Sequence, residues 1–163
     1  MRDYKIIVGD LVRADTDFIV HQVNCKGAMN SGVAKAIRNK YPKVYDEYRK
    51  LYEKHINYSG ETSHMLGIAQ FVPIYDSNNP KKPFYCINMF SQNDYGYNGG
   101  QYTSIAAMLV ALKEINEKCA GYTVAFPWKV GCVRGGADWD EVLPLICETL
   151  TDVKEIVFYK LEE

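Results

Sequence analysis

The chain has 163 residues, of which 47% are hydrophobic and 24% are charged, and its formal net charge is −1. This size and composition are typical of one globular domain with a full hydrophobic core, so we predict a single domain over residues 1–163. A charge this close to zero excludes a strong electrostatic field, so neither nucleic acid nor a membrane surface is expected as a direct partner. We expect a monomer.

The N-terminal segment and the cysteines exclude several further classes. The first ten residues contain only three consecutive apolar residues, too few for a signal peptide, so a cytoplasmic location is expected. The longest apolar helical segment has about 12 residues, too few to cross a bilayer. The five cysteines lack CxxC and HxxxH spacing, so we predict no disulfide, no metal site and no cofactor.

Ten secondary-structure elements are predicted along the chain. Buried strands are indicated by β-branched and aromatic runs, and helices by apolar residues at helical spacing. The predicted strands are residues 4–10, 17–23, 65–74, 84–90, 122–127 and 155–161. The predicted helices are residues 31–41, 43–55, 102–121 and 138–150, and Pro144 within the last predicts a kink or a late helix start.

The alternation of strands and helices predicts an α/β fold with a mostly parallel or mixed sheet and helices on both faces. Three glycine-bearing polar loops, residues 24–32, 91–101 and 129–138, each follow a strand and precede a helix. In such a sheet these loops gather at the carboxyl ends of the strands, where ligands bind, so they are expected to form one crevice.

The third loop has the composition of a phosphate-binding turn. Gly131, Gly135 and Gly136 permit backbone N–H groups to turn toward an anion, and Arg134 supplies positive charge. The pattern matches neither GxGxxG nor GxxxxGK[ST], which excludes the usual dinucleotide and P-loop sites. An ordinary strand-to-helix loop rich in glycine is the alternative.

Several side chains beside these loops have a structural and a functional interpretation. Asp10 either caps a turn or accepts hydrogen bonds from an exocyclic amine, and Asn24 either shapes a turn or holds sugar hydroxyls. His21 is either a structural residue or a catalytic one. One of Asp138 and Asp140 is expected to cap the last helix, and the other to face the crevice as a base. Trp128 and Trp139 either pack in the core or stack on a ligand ring.

Four segments together resemble the macro domain family. They are "VGDL" (8–11), "IVHQVNCKGAMNSGVAKAIRNKYP" (19–42), "INMFSQNDYG" (87–96) and "FPWKVGCVRGGADWDEV" (126–142). The chain looks most like the compact branch that includes ADP-ribose-1″-phosphate phosphatases and terminal ADP-ribose glycohydrolases. The resemblance implies a three-layer α/β/α sandwich, with a mixed, mostly parallel sheet of about six strands, that binds ADP-ribose.

The resemblance also implies a role for individual residues. Asp10 would contact the adenine amine with Leu11 packed nearby, and Asn24 would meet the distal ribose. One phosphate would lie at Ser31, Gly32 and Val33. The diphosphate and distal ribose would lie along the third loop, at Gly131, Cys132, Val133, Arg134, Gly135, Gly136 and Ala137.

The implied activity is hydrolysis of an ADP-ribose derivative, either a 1″-phosphate or an ADP-ribosyl linkage; the alternative is a binding module without turnover. One glycohydrolase type uses a lysine after the strand that corresponds to "FYCIN", where this chain has Met89, Phe90 and Ser91. The partner aspartate of that lysine aligns with Gly135, so the resemblance does not imply the lysine mechanism of this glycohydrolase type here. Phosphatase-like members carry a histidine at the position of His21, which implies His21 and Asp138 as the catalytic pair.

Overall fold

The computed structural model describes residues 1–96 and 98–162, so Tyr97 of the second predicted loop lies outside the described residues. All ten predicted elements are present. The strands are β1 (Lys5–Val8), β2 (Phe18–Asn24), β3 (Ala69–Pro73), β4 (Tyr85–Gln92), β5 (Thr123–Pro127) and β6 (Glu155–Lys160). The helices are α1 (Gly32–Lys40), α2 (Pro42–Ser59), α3 (Ile105–Lys118) and α4 (Trp139–Thr149).

The six strands form one sheet in the order β1-β6-β5-β2-β4-β3. Every neighbouring pair is parallel except β3 and β4, which are antiparallel at one edge. The predicted mixed, mostly parallel sheet is therefore confirmed. Because parallel strands end at a common edge, the loops that follow β2, β4 and β5 come together there.

Hydrophobic side chains cover both faces of the sheet. On one face, Val20, Ile87 and Phe126 belong to a core with residues of α3 and α4. On the other, Ile19 and Phe90 belong to a core with Ile37 of α1 and Tyr48 of α2. Continuous apolar strands of this kind require a layer on each side. The α/β/α sandwich is confirmed.

The last helix corrects one prediction. Helix α4 begins at Trp139, five positions before Pro144, so a late start is wrong. The Asp138 side chain caps the first turn by accepting a hydrogen bond from the Asp140 N–H (2.9 Å). The cap and the buried face of Val142 and Ile146 fix the start, and the proline removes a single backbone hydrogen bond inside the helix.

Strand pairing between β2 and β4 is irregular at the carboxyl edge. Val23 is paired with Phe90, but the next residue, Asn24, is paired with Gln92. Ser91 is therefore the extra residue of a β-bulge, a feature that redirects the side chains around it.

Within residues 1–96 and 98–162, no helix is both long and apolar enough to span a membrane.

Candidate functional site

A crevice of about 270 Å³ lies at the carboxyl ends of β2, β4 and β5. It is bordered by residues from all three glycine-bearing loops, which confirms that these loops gather. The bordering residues are His21–Asn24, Ala28–Ala34, Gln92, Tyr95, Gly96, Pro127–Gly131 and Val133–Gly135.

Asn24 organises the first loop. Its side-chain oxygen accepts a hydrogen bond from the Lys26 N–H (2.9 Å), and its side-chain nitrogen donates one to the Ala28 carbonyl (3.0 Å). The hydroxyl of Tyr48, a fully buried residue of α2, lies 2.8 Å from both the carbonyl oxygen and the side-chain oxygen of Asn24. Asn24 therefore shapes the turn, and its second amide hydrogen is the part that a ligand can use.

Helix α1 begins at the rim of the crevice. Ser31 is its N-cap residue in extended conformation, and Gly32, with φ of +58°, is its first residue. Ser31, Gly32 and Val33 all border the crevice. The first N–H groups of a helix have no partner within it, so this end offers donors and a favourable dipole to an anion.

The third loop is held in a tight turn. The Gly131 carbonyl accepts hydrogen bonds from the Thr103 hydroxyl (2.7 Å) and the Ala137 N–H (3.1 Å). The Gly135 carbonyl accepts bonds from the N–H groups of Tyr102 (2.7 Å) and Thr103 (3.0 Å). The segment just before α3 thus supports the third loop along the crevice.

The predicted residues of the third loop divide into two groups. Gly131, Val133, Arg134 and Gly135 border the crevice, and Val133 is 77% exposed. Cys132, Gly136 and Ala137 do not border it, because the Ala137 side chain packs in the core, the partly buried Cys132 side chain packs against it, and Gly136 makes the turn with φ of +73°. Burial raises the pKa of the Cys132 thiol to about 11, so it is protonated at neutral pH.

Asp10 and Leu11 lie outside the crevice residues. The Asp10 carboxylate accepts a hydrogen bond from the Val12 N–H (3.1 Å) and so caps a short 3-10 turn, Leu11–Arg13. Leu11 is buried in the core shared with α1 and α2. The capping interpretation of Asp10 is therefore the one that the structure displays, while the adenine contact stays a prediction.

His21 lies at the floor of the crevice and is only 1% exposed. Its Nε2 is 2.6 Å from the Asn88 side-chain oxygen, and the Asn88 amide nitrogen donates to the Gln70 side-chain oxygen (3.0 Å). Because that oxygen of Asn88 can only accept, His21 carries its proton on Nε2. Burial lowers the pKa of His21 to about 4, so the ring is neutral at neutral pH.

The predicted catalytic pair is divided between two environments. Asp138 is exposed, caps α4 and does not border the crevice, whereas His21 does. Of the two aspartates predicted as alternatives for the helix cap, Asp138 is therefore the one that caps α4. Asp140, in the first turn of α4, is exposed and also lies outside the crevice residues.

Both tryptophans have structural contacts. Trp128 borders the crevice and packs edge-on against Trp139, with ring centroids 5.0 Å apart. Trp139 in turn packs against Phe158 of the core. Trp128 alone is therefore placed to meet a ligand.

Sequence reasoning did not single out Gln22 and Gln92, which both border the crevice. The available signal was that both strands, "FIVHQVN" and "YCINMFSQ", carry several polar side chains, whereas a strand covered on both faces is mostly apolar. Among the residues that the structure describes, no three His, Cys, Asp or Glu side chains cluster as a metal site would require.

Fold and crevice define an α/β/α domain with a polar, glycine-lined crevice at the carboxyl edge of its sheet. The family model described as Macro domain matches residues 20–146. The chain therefore belongs to the macro domain family, as its sequence motifs predicted.

Curated and solved proteins are similar to this chain over most of its length. The DNA ADP-ribosyl glycohydrolase of Mycobacterium tuberculosis is 29% identical over 153 residues, covering 92% of this chain and 40% of that protein. The chain thus spans about two fifths of the length of that relative. The solved macrodomain of Mycobacterium tuberculosis DarG is 29% identical, with a TM-score of 0.69, and the match covers 96% of this chain and 98% of that one.

A structure of Thermosipho africanus DarTG in complex with ADP-ribose shares the fold. It is 20% identical with a TM-score of 0.73, and the match covers 96% of this chain and 41% of that chain.

Proposed function

We propose that this protein binds ADP-ribose in the crevice and hydrolyses ADP-ribosyl linkages. The observation that carries the proposal is the crevice itself, in a macro domain, with the N-terminus of α1 on one side and the glycine turn of the third loop on the other. A helix N-terminus and a glycine turn that border one cavity suit a ligand with two adjacent phosphates, because both features can offer backbone N–H groups to anions. The relatives named DNA ADP-ribosyl glycohydrolase support the reaction class.

In this proposal the ligand lies along the strand ends. Ser31, Gly32 and Val33 hold one phosphate, and Gly131–Gly135 hold the diphosphate from the opposite side, with Arg134 adding charge. The distal ribose lies beside Asn24, and the adenine extends toward Asp10 and Leu11. The loops that make these contacts are fixed by hydrogen bonds without a ligand, so little ordering is needed on binding.

The side chains at the crevice constrain the chemistry of hydrolysis. Among the described residues that border it, none is Asp or Glu, and the side chains of titratable type are those of Tyr95, Lys129, Arg134 and neutral His21. Water attack on the anomeric carbon would then depend on substrate positioning and on donors near the leaving group. The same observation favours a second candidate, a module that binds ADP-ribose without turnover.

A matched pair of glycine substitutions tests binding. Gly32 and Gly60 both have positive φ, and a side chain at either would meet open space, but Gly60 caps the far end of α2. Gly32→Asp places a carboxylate where the phosphate is proposed to lie, so we expect ADP-ribose affinity to fall at least tenfold. Gly60→Asp should bind as the unsubstituted protein does. Calorimetry with ADP-ribose, AMP and NAD measures this, and no preference for ADP-ribose would overturn the binding proposal.

Turnover is tested by following two products separately. The protein is incubated with ADP-ribosylated single-stranded DNA, with an ADP-ribosylated peptide and with ADP-ribose-1″-phosphate. Release of free ADP-ribose from either of the first two supports a glycohydrolase, and release of phosphate from the third supports a phosphatase instead. Binding of ADP-ribose without release of either product supports the module that binds without turnover.

A further inference from the structure

We infer that the Gln92 side-chain amide donates a hydrogen bond to a distal-ribose oxygen of the ligand, and that Gln22 holds it in that orientation. This inference rests on the proposed binding of ADP-ribose. It follows from a chain of hydrogen bonds beneath the crevice whose direction is fixed at every step.

The direction is set first at Thr103. Its hydroxyl oxygen lies 2.7 Å from the Gly131 carbonyl oxygen, which has no hydrogen to give, so the single Thr103 hydroxyl hydrogen is donated there. The Thr103 oxygen can then only accept from the Gln22 amide group at 2.8 Å, which must be the nitrogen. The Ser91 hydroxyl donates to the opposite atom of that amide, the oxygen, at 2.6 Å.

The same reasoning orients Gln92. The Gln22 nitrogen uses its second hydrogen on the Gln92 side chain, 2.8 Å away, so the atom facing Gln22 is the Gln92 oxygen. The amide nitrogen of Gln92 is left on the other side of the group, and Gln92 is half-buried at the border of the crevice. That nitrogen makes no hydrogen bond with any of residues 1–96 or 98–162, so both of its hydrogens are available to a ligand.

The β-bulge explains why Gln92 lies at this position. Side chains alternate along a strand, so Ser91 and Gln92 would face opposite sides of a regular sheet. With Ser91 as the extra residue, both contact Gln22 on one face, and Gln92 is paired with Asn24 across the strands. Asn24 is the residue proposed to lie beside the distal ribose, which places the Gln92 amide next to the same sugar.

Gln92→Glu tests the contact because it keeps the shape and an acceptor for Gln22 but replaces the donating nitrogen with oxygen. We expect ADP-ribose affinity to fall at least tenfold, while AMP and ADP, which lack the distal ribose, keep their affinities within twofold. Asn57→Asp is the control, because it adds the same charge at an exposed position of α2 outside the crevice. Gln92→Met, which has similar length and no donor, should give the same selective loss without added charge.

Ser91→Ala tests the positioning step. It removes the bond that orients Gln22 without touching the ligand, so we expect a threefold to tenfold loss for ADP-ribose and none for AMP. Unchanged ADP-ribose affinity in both Gln92 variants, or equal losses for AMP and ADP-ribose, would overturn the inference. If the unsubstituted protein binds no ADP-ribose, the proposed function fails first, and the Gln92 contact fails with it.

Discussion

Gly135 is a position where one added methyl group should disrupt the crevice. A Cβ there would overlap the Thr103 hydroxyl oxygen and the Gly131 carbonyl oxygen, and it would lie 2.9 Å from the Gln22 side-chain nitrogen. These three atoms are joined by hydrogen bonds of 2.7 and 2.8 Å. Gly135→Ala can be accommodated only if the turn moves and these bonds break.

The magnitude follows from those contacts. Two lost hydrogen bonds cost about 1 kcal/mol each, and forcing a methyl group into a closed space adds about 1 kcal/mol or more. We expect the free energy of unfolding to fall by about 3 kcal/mol, which in a chain of this length lowers the Tm by about 6–12 °C. ADP-ribose affinity should fall at least tenfold, since the loop that faces the ligand is displaced.

Urea unfolding followed by tryptophan fluorescence measures the stability, and calorimetry measures the affinity. Gly9→Ala is the control, because neither glycine has a positive φ and a Cβ at Gly9 meets only the Tyr159 ring at an ordinary 3.7 Å. If Gly135→Ala unfolds within 0.5 kcal/mol of the control, the turn is not packed as described and the reasoning is refuted.

Two further substitutions probe the supports of the crevice. Tyr48→Phe removes the buried donor to Asn24, which should lower the free energy of unfolding by about 1–2 kcal/mol in urea unfolding. Tyr58→Phe, at a ring that is 92% exposed, should change nothing, and equal stability of the two variants would contradict the role of the Asn24 contact. His21 has a pKa lowered by burial from 6.5 to about 4, so the unfolded chain binds the extra proton between these values and stability should fall as the pH drops through that window. The full difference is about 3 kcal/mol; His21→Gln should flatten this part of the pH profile, and an unchanged slope would show that other groups cause it.

The order of the elements could be predicted from the sequence because the strands contain β-branched and aromatic runs and each helix has apolar residues at helical spacing. The crevice followed from the same information, since parallel strands bring their following loops to one edge. The orientation of individual side chains within those loops was harder to predict. Cys132 and Ala137 occur in a glycine-rich motif typical of ligand-binding loops, yet the Ala137 side chain is buried in the core and the Cys132 side chain packs against it.

Contacts between distant segments determine the features of the site that could not be predicted from the sequence. The partner of His21 is Asn88, 67 positions further along the chain, and burial in the folded protein sets the charge state of His21. Gln22 and Gln92 come together only through the pairing of β2 with β4 and the bulge at Ser91. No local pattern reports a bulge, so the orientation of Gln92 could not be read from the sequence.

Because of the bulge at Ser91, the crevice depends on the number of residues at the end of β4 and not only on their side chains. Deleting Ser91 would let Gln92 enter regular pairing at the end of β4 and would shorten the connection to Thr103 by one residue. Thr103, whose backbone N–H supports the Gly135 carbonyl, would then be pulled toward the sheet. A gain or loss of one residue at the end of β4 would therefore have to be matched by a change in both neighbouring loops.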